Sequence, residues 1–590
     1  MEQKLDSELS LSLSLPEGER LKNPVLRSGY EPSTRLWTLI LLYQGSLSEI
    51  EANFTISIVP LLGNYAIIKI PAAQIPDLLQ YPQVLYLELP RPLYEEEITG
   101  ISDSCLSGRP FFFSPGVLTE NPPYESLTGR GTVVAILDSG VDYRHPDFRS
   151  ESGASRIITY WDQTLAYDGN NRYGLGRIFS NDDLNNLLST TDETNGSAIL
   201  PRPSADSTGH GTHIAGICAG NGRSSGGRNR GVAPEASLLV VKLKNDADSV
   251  FTDYANLMMA VDYAVRFTSE RLLPLCINIS YGSNDGPHDG SSLIERYLES
   301  CIFYGKNVVI TATGNEGISR RHSSLRVISG EEKSVAFSVA PGETSLYVQL
   351  WKYYGDQFRY RLSLPSQNTE IVIPGLPGIY RFELDDNLIR LIISEPTPYQ
   401  PLQEMFLVIL PSSQTTIRPG IWQLYIVSES STNGYVNLWL PSREATSSST
   451  GFLDASAEMT MTVPSTARNV ISVSGYDSAT DTFASFSGRG FTSILDAKPD
   501  LTAPAVNILS TAPGGGYSVR NGTSMAAPFV TGAAALLMQF GIVMGNDPFL
   551  YGEKVKALLQ KGARPLPEFL QYPNPSVGWG ALCVRDSLPR

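Results

Sequence analysis

The sequence predicts an α/β protein with a parallel sheet covered by helices on both faces, preceded by a small α+β unit and interrupted by an all-β one. Three observations carry this. Short runs of branched apolar residues, "TVVAILD", "ASLLVVKL", "LPLCINIS" and "NVVITATGN", alternate with helix-like segments such as Tyr254 to Ser269 and Ser292 to Tyr304; strands without a polar face belong to parallel sheets buried on both sides. Leu36 to Leu89 reads strand, helix, strand, strand, helix, strand. Between about Arg326 and Leu440 the pattern changes to short alternating strands separated by Pro, Gly and Ser turns.

In chain order, "MEQKLDSELSLSLSLPEGER" lacks the basic start and continuous apolar run of a secretory signal, so synthesis in the cytoplasm without standard export is expected. Its Leu9 to Leu15 alternation fits an edge strand or a flexible extension. The elements "LWTLILLY", "SLSEIEAN", "FTISIVP", "YAIIKI", "AAQIPDLLQ" and "VLYLEL" follow the βαββαβ order of a ferredoxin-like domain. The Pro- and acid-rich "PRPLYEEEITGISDS" then reads as an exposed, bendable link. The α/β region comes next, and the alternating strands "KSVAFSVA", "SLYVQLWKYY", "FRYRLSL", "LIRLIIS", "MFLVILP" and "IWQLYIVS" form a sandwich of jelly-roll type. Since α/β character resumes at "NVISVSGYD", the sandwich is an insertion into one domain. The expected division is 1–96, 97–325, 326–450 and 451–590.

Composition narrows the chemistry. The 45 basic and 60 acidic side chains leave a formal charge of −15, and no dense Lys/Arg run is present to neutralise phosphates, which argues against a nucleic-acid partner. No uninterrupted apolar stretch reaches the roughly 18 residues of a membrane span. Five scattered cysteines without C-x-x-C spacing read as reduced thiols, Cys218 and Cys276 as core residues.

Three polar residues stand at the ends of regular elements. Asp138 ends "VVAIL", where it caps a turn or serves a site. His210 opens a helix in "STGHGTHIAGICAG"; His213 one turn later makes H-x-x-H, but no third ligand accompanies it, so it reads as a packed histidine. Ser524 sits where the helix of "NGTSMAAPFVTGAAALLM" begins, as a cap or as a nucleophile. Together they supply acid, base and nucleophile: His210 would remove the Ser524 proton, and Asp138 would orient the imidazole. Asn315 in "TATGNEG" and the Ser524 N–H are the candidate donors to the oxyanion.

The segments "AILDSGVDYRHPDF", "GHGTHIAG", "GVAP", "NISYG", "TATGNEG" and "NGTSMAAPFVTGAAALL", in this order, resemble the subtilisin family of serine endopeptidases. The resemblance implies a subtilisin-like fold and protein or peptide substrates. It also implies that Pro528 is tolerated in the first turn of its helix, and that the N-terminal unit is a propeptide, a chaperone whose tail fills the cleft until cut in or near Tyr94 to Ile101. Ser280, Tyr281 and Gly282 with Thr311, Ala312, Thr313 and Gly314 would line the primary specificity pocket and pair with an extended substrate, and Glu316 would bias that pocket away from acidic side chains. The missing export signal, short propeptide and inserted jelly roll resemble the clostridial germination-specific Csp-type proteases. That implies a spore-associated enzyme activating a cortex hydrolase, with the jelly roll clamping a retained propeptide; some relatives in that group are silent scaffolds. A binding module built on Trp351, Tyr353 and Tyr354 is a third reading. Where many subtilisins carry a calcium loop, "NGRSSGGRNR" has three arginines and no acid, leaving Asp147 as a turn cap, so no metal or other cofactor is expected.

Overall fold

The computed structural model describes residues 2–97, 127–189, 201–245, 252–365 and 370–589. Cys105 and the stretch 98–101 of the expected cleavage region lie outside them.

The nine-stranded central sheet runs Thr482–Phe483, Ile471–Asp477, Asn307–Ala312, Leu275–Ile279, Val133–Asp138, Ser237–Lys242, Ile157–Asp162 and Arg177–Ser180, with Leu501–Pro504 also on Ile471–Asp477. Its interior pairings are parallel, and only the outermost strands Thr482–Phe483 and Arg177–Ser180 pair antiparallel. The two sides of Val133–Asp138 go to different cores. Val134 and Ile136 pack with helices His210–Ala219 and Thr523–Met538, while Val133, Ala135 and Leu137 pack with Tyr254–Ser269 and Leu293–Ile302. This two-sided burial is why these strands read as continuous apolar runs. The helical run Thr523–Val543 is long and apolar enough to cross a membrane, but 83% of its most apolar window is buried inside the protein, as in a core helix.

The N-terminal unit is an antiparallel sheet ordered Tyr30–Glu31, Leu36–Tyr43, Tyr65–Pro71 and Ser57–Pro60, with Val84–Glu88 on the other edge of Leu36–Tyr43. One face (Trp37, Leu39, Leu41, Ile68) packs on its own short helices. The other (Ile40, Leu42, Tyr65, Ile67) lies on Met258, Tyr263 and Tyr297 of the two body helices.

The inserted segment forms two antiparallel sheets, one of six strands and one of five, around a shared apolar core. The six-stranded sheet is also buried outward: in Leu402–Pro411, Leu407 and Ile409 face that core while Phe406, Val408 and Leu410 meet Leu11, Leu15, Val25 and Leu26 from the N-terminus. The Leu9 to Leu15 stretch is therefore neither strand nor free extension. Asp6 caps it from Leu9 N–H, and Ser7–Ser14 is a helix. Its leucines alternate because they serve two bodies, Leu9 the N-terminal core and Leu11 and Leu15 the insertion.

Candidate active site

The carboxyl end of Val133–Asp138 faces the start of the helix His210–Ala219, and His210 Nδ1 lies 2.7 Å from Asp138 Oδ1 with both side chains buried. Asp206 fixes this junction. Its Oδ1 accepts from Ser139 Oγ at 2.9 Å and Gly209 N–H at 3.0 Å, and its Oδ2 from the N–H and hydroxyl of Thr212.

Ser524 is the second residue of the helix Thr523–Met538. Its hydroxyl lies 3.3 Å from the Ser280 carbonyl oxygen, and His210 Nε2 has no hydrogen-bond partner among the described residues. Pro528 sits in the second turn, not the first as expected, so it removes the N–H that would bond the Ser524 carbonyl. Ser280 Oγ donates to that carbonyl at 3.3 Å instead.

The tail of the N-terminal unit runs through this junction. Pro92–Glu95 is the middle strand of a three-stranded sheet, antiparallel to Tyr281–Gly282 on one side and Thr252–Asp253 on the other. Composition made this stretch an exposed link, whereas the family resemblance placed the tail in the cleft; its described part is largely buried, because the cleft edges satisfy its backbone and Leu93 and Tyr94 are packed in. Glu96 N–H donates to the Ser280 carbonyl at 3.3 Å, and the Glu96 carbonyl accepts from Ser524 N–H at 3.2 Å. Asn315 Oδ1 accepts from Thr523 N–H and hydroxyl, which orients its amide and leaves Nδ2 buried and without a partner among the described residues. A side chain at Gly522 would begin 2.6 Å from the Glu96 carbonyl oxygen and 3.3 Å from Asn315 Nδ2. Only glycine, here at φ 138°, allows that approach.

The Glu96 side chain enters a pocket whose base is Thr462. Thr462 Oγ1 donates to Glu96 Oε1, and Gly282 and Gly314 leave the room: a Cβ on Gly282 would overlap Glu96 Oε1, one on Gly314 would lie 2.5 Å from Thr462. Thr313 shapes the wall by accepting from Thr462 N–H, while Thr311 and Ala312 are used in the sheet opposite Ser472 and Val473. Glu95 turns the other way. Its Oε1 accepts from Tyr281 OH at 3.0 Å and Thr208 Oγ1 at 3.2 Å, and one of its oxygens lies within 4.8 Å of both Asp138 and His210.

These carboxyls set the electrostatics. Burial alone would lower the His210 pKa, but Asp138, Glu95 and Glu97 outweigh it and lift the imidazole to about 9. Burial pushes the Glu96 carboxyl up to about 8; the Thr462 hydrogen bond opposes this and Glu444 and Glu316 add to it. His213 is driven down to about 3 by burial, its Nε2 lying 3.1 Å from both the Ile508 and Ser518 carbonyls, the packed residue its surroundings implied.

The structure thus brings Asp138, His210 and Tyr281 together beside Glu95, and Ser524, Asn315, Ser280, Gly282 and Gly314 around Glu96. Sequence reading missed Asp206, Thr208 and Thr462; Glu95 and Glu96 fell within the expected cleavage stretch Tyr94 to Ile101 but were given no role in the site. Asp147 is engaged by Ser224 N–H and Tyr517 OH, and Trp351 is buried, which removes it as a stacking surface.

The chain matches the model of the subtilase family over residues 129–358 and 426–580, and that of the Csp protease B prodomain over residues 3–91. It is 24% identical over 546 residues to the minor extracellular protease Vpr of Bacillus subtilis, an alignment spanning 88% of this chain and 59% of Vpr. It is 24% identical over 487 residues to serine protease AprX of the same organism, spanning 79% of this chain and 68% of AprX. It spans only 23% of the PII-type proteinase of Lacticaseibacillus paracasei. Among solved structures, the Clostridium perfringens CspB protease is similar with a TM-score of 0.73 and 32% identity, covering 81% of this chain and 97% of that one.

Proposed function

The chain belongs to the subtilase family of serine proteases, and from that premise we propose that it is an endopeptidase that hydrolyses protein substrates through an acyl-enzyme and first cuts its own N-terminal propeptide. One observation carries this reading: the Glu96 carbonyl is held by Ser524 N–H at a helix start, beside the free amide of Asn315 and the paired His210 and Asp138. In the reaction Ser524 Oγ leaves the Ser280 carbonyl, gives its proton to His210 Nε2 and attacks the Glu96 carbonyl carbon. The oxyanion forms between Ser524 N–H and Asn315 Nδ2, where donors already stand. Asp138 stabilises the imidazolium, which then protonates the departing Glu97 nitrogen. Water releases the acyl group by the same route.

We read the N-terminal sheet as ferredoxin-like and the insertion as a jelly roll that clamps the retained propeptide. The Csp prodomain match and the likeness to the CspB protease support a spore-associated role in activating a cortex hydrolase precursor. The alternative, a silent signalling scaffold, is disfavoured by the complete set of Asp138, His210 and Ser524.

Expression of the wild type beside Ser524→Ala tests the activity. The wild type is cut near Glu96 and labelled by a fluorophosphonate, whereas the variant stays full length and unlabelled, its turnover lowered by about 10⁶. Identical behaviour of the two leaves only the scaffold.

A further inference from the structure

Glu316 was expected to turn acidic side chains away from the specificity pocket, yet a glutamate occupies it. Glu96 is buried, its Oε1 takes one hydrogen bond from Thr462, and its Oε2 has no partner among the described residues. Among the described residues no Lys or Arg makes an ion pair with it, and His210 acts on it only from across the cleft. The groups facing it are Glu316 from the loop after Asn307–Ala312, Glu444 from the insertion's stretch between Tyr435–Trp439 and Gly451–Phe452, and His210 across the cleft. Arg443 lies against Glu444 at 3.6 Å and gives its backbone N–H to Glu316 at 3.0 Å; Arg321 is engaged with the Thr450 and Ser447 carbonyls. An anion here would lose its hydration for one hydrogen bond and meet two further acids. A neutral carboxyl or carboxamide of the same shape accepts from Thr462 equally well, and its own O–H or N–H is directed into acidic surroundings.

We propose that this pocket recognises an uncharged carboxyl or carboxamide, so that the enzyme cuts after Gln, or after Glu in its acid form, with Thr462 as the residue that reads the oxygen and Glu96–Glu97 as its own scissile bond. The proposal rests on the endopeptidase reading above and names its substrate class. The neighbouring subsite adds to it: Tyr281 and Thr208 both donate to Glu95, so an acidic residue is accepted just before the Gln or Glu.

The pH behaviour follows from the Glu96 carboxyl being held at about 8, against about 4.5 for a free glutamate. Between those values a free Glu segment must pick up a proton to enter, whereas Gln enters without one. Processed enzyme is therefore given two peptides ending Pro-Leu-Tyr-Glu-Gln or Pro-Leu-Tyr-Glu-Glu before a fluorogenic leaving group. The ratio of kcat/KM for Gln over Glu, in which the titration of His210 cancels, rises about 50-fold from about pH 6 to about pH 8 and levels off above that. Thr462→Val lowers kcat/KM for the Gln peptide and leaves fluorophosphonate labelling of Ser524 intact. A ratio that does not move with pH, or a Leu peptide cut faster than the Gln one, overturns the proposal. An activity-independent arm compares full-length Ser524→Ala with Ser524→Ala/Glu96→Gln. Their melting temperatures diverge as pH rises over the same range, and a constant gap refutes a neutral Glu96 even in a protein that cleaves nothing.

Discussion

At the scale of single residues, the site depends on which polar atoms remain unspent. Asn315 uses its oxygen on Thr523 and keeps its nitrogen for the carbonyl it faces, so the donor is fixed before any charge forms. Removing it by Asn315→Ala lowers kcat by 10²–10³, the usual cost of losing one such donor, while KM changes little because a neutral carbonyl gains less from it than an oxyanion. Steady-state kinetics on a peptide substrate separates the two; a rise in KM at constant kcat would make Asn315 a ground-state binder. His210 carries the opposite constraint. With Asp138, Glu95 and Glu97 around it the imidazole is held at about 9, so at neutral pH only a small fraction is the free base that self-cleavage needs, and that fraction grows as the pH rises. The limb of the pH–rate profile for self-cleavage therefore lies higher than that for a peptide lacking glutamates, and Glu95→Gln moves the self-cleavage limb down.

At the scale of elements, what was legible followed from periodicity. Tyr254–Ser269 has the bounds its pattern suggests, because Asp253 caps it and one broad stripe meets the sheet. Asp138, His210 and Ser524 could be found because small residues around each mark close packing of backbone on backbone. The N-terminal helix escaped because alternating leucines signal a strand when one partner is assumed, and here there are two. The pocket was legible in Gly282 and Gly314, but its Thr462 and its occupant escaped: Thr462 is far from both in sequence, and nothing in "EEE" tells which glutamate will be buried. The two-sided role of the first helix has a measurable consequence. Leu11→Ala removes a fully buried side chain from the contact with the insertion and costs about 2–5 kcal/mol there. It frees Ser7–Ser14 to proteolysis while the body keeps its melting temperature, a split that a strand or loose extension would not give.

At the scale of the whole molecule, three bodies meet around one buried charge cluster, and its composition decides when they come apart. Asp6, Glu8 and Glu88 from the N-terminal unit and Glu404 from the insertion surround Arg91, which pairs with Glu8 at 3.0 Å and Glu88 at 3.3 Å. Burial, with the other acids adding to it, holds the carboxyls of Asp6, Glu88 and Glu404 above their ordinary range, while Arg91 pulls the other way. Groups whose values are raised in the assembled state bind protons that the separated parts release. Attachment is thus complete at acid pH, below the ordinary carboxylate range, and weakens as pH rises from there through the raised values. After cleavage, the propeptide co-elutes with the body under mildly acidic conditions and dissociates progressively as the buffer is made alkaline. Glu404→Gln removes one proton from the linkage and flattens that dependence. Arg91→Leu strands the remaining carboxylates and weakens the junction by about 3–5 kcal/mol, releasing the propeptide even where the wild type holds it. Size-exclusion chromatography of the cleaved protein across pH measures all three, and a propeptide that binds more tightly as the pH rises would show that the cluster is assembled in its charged form.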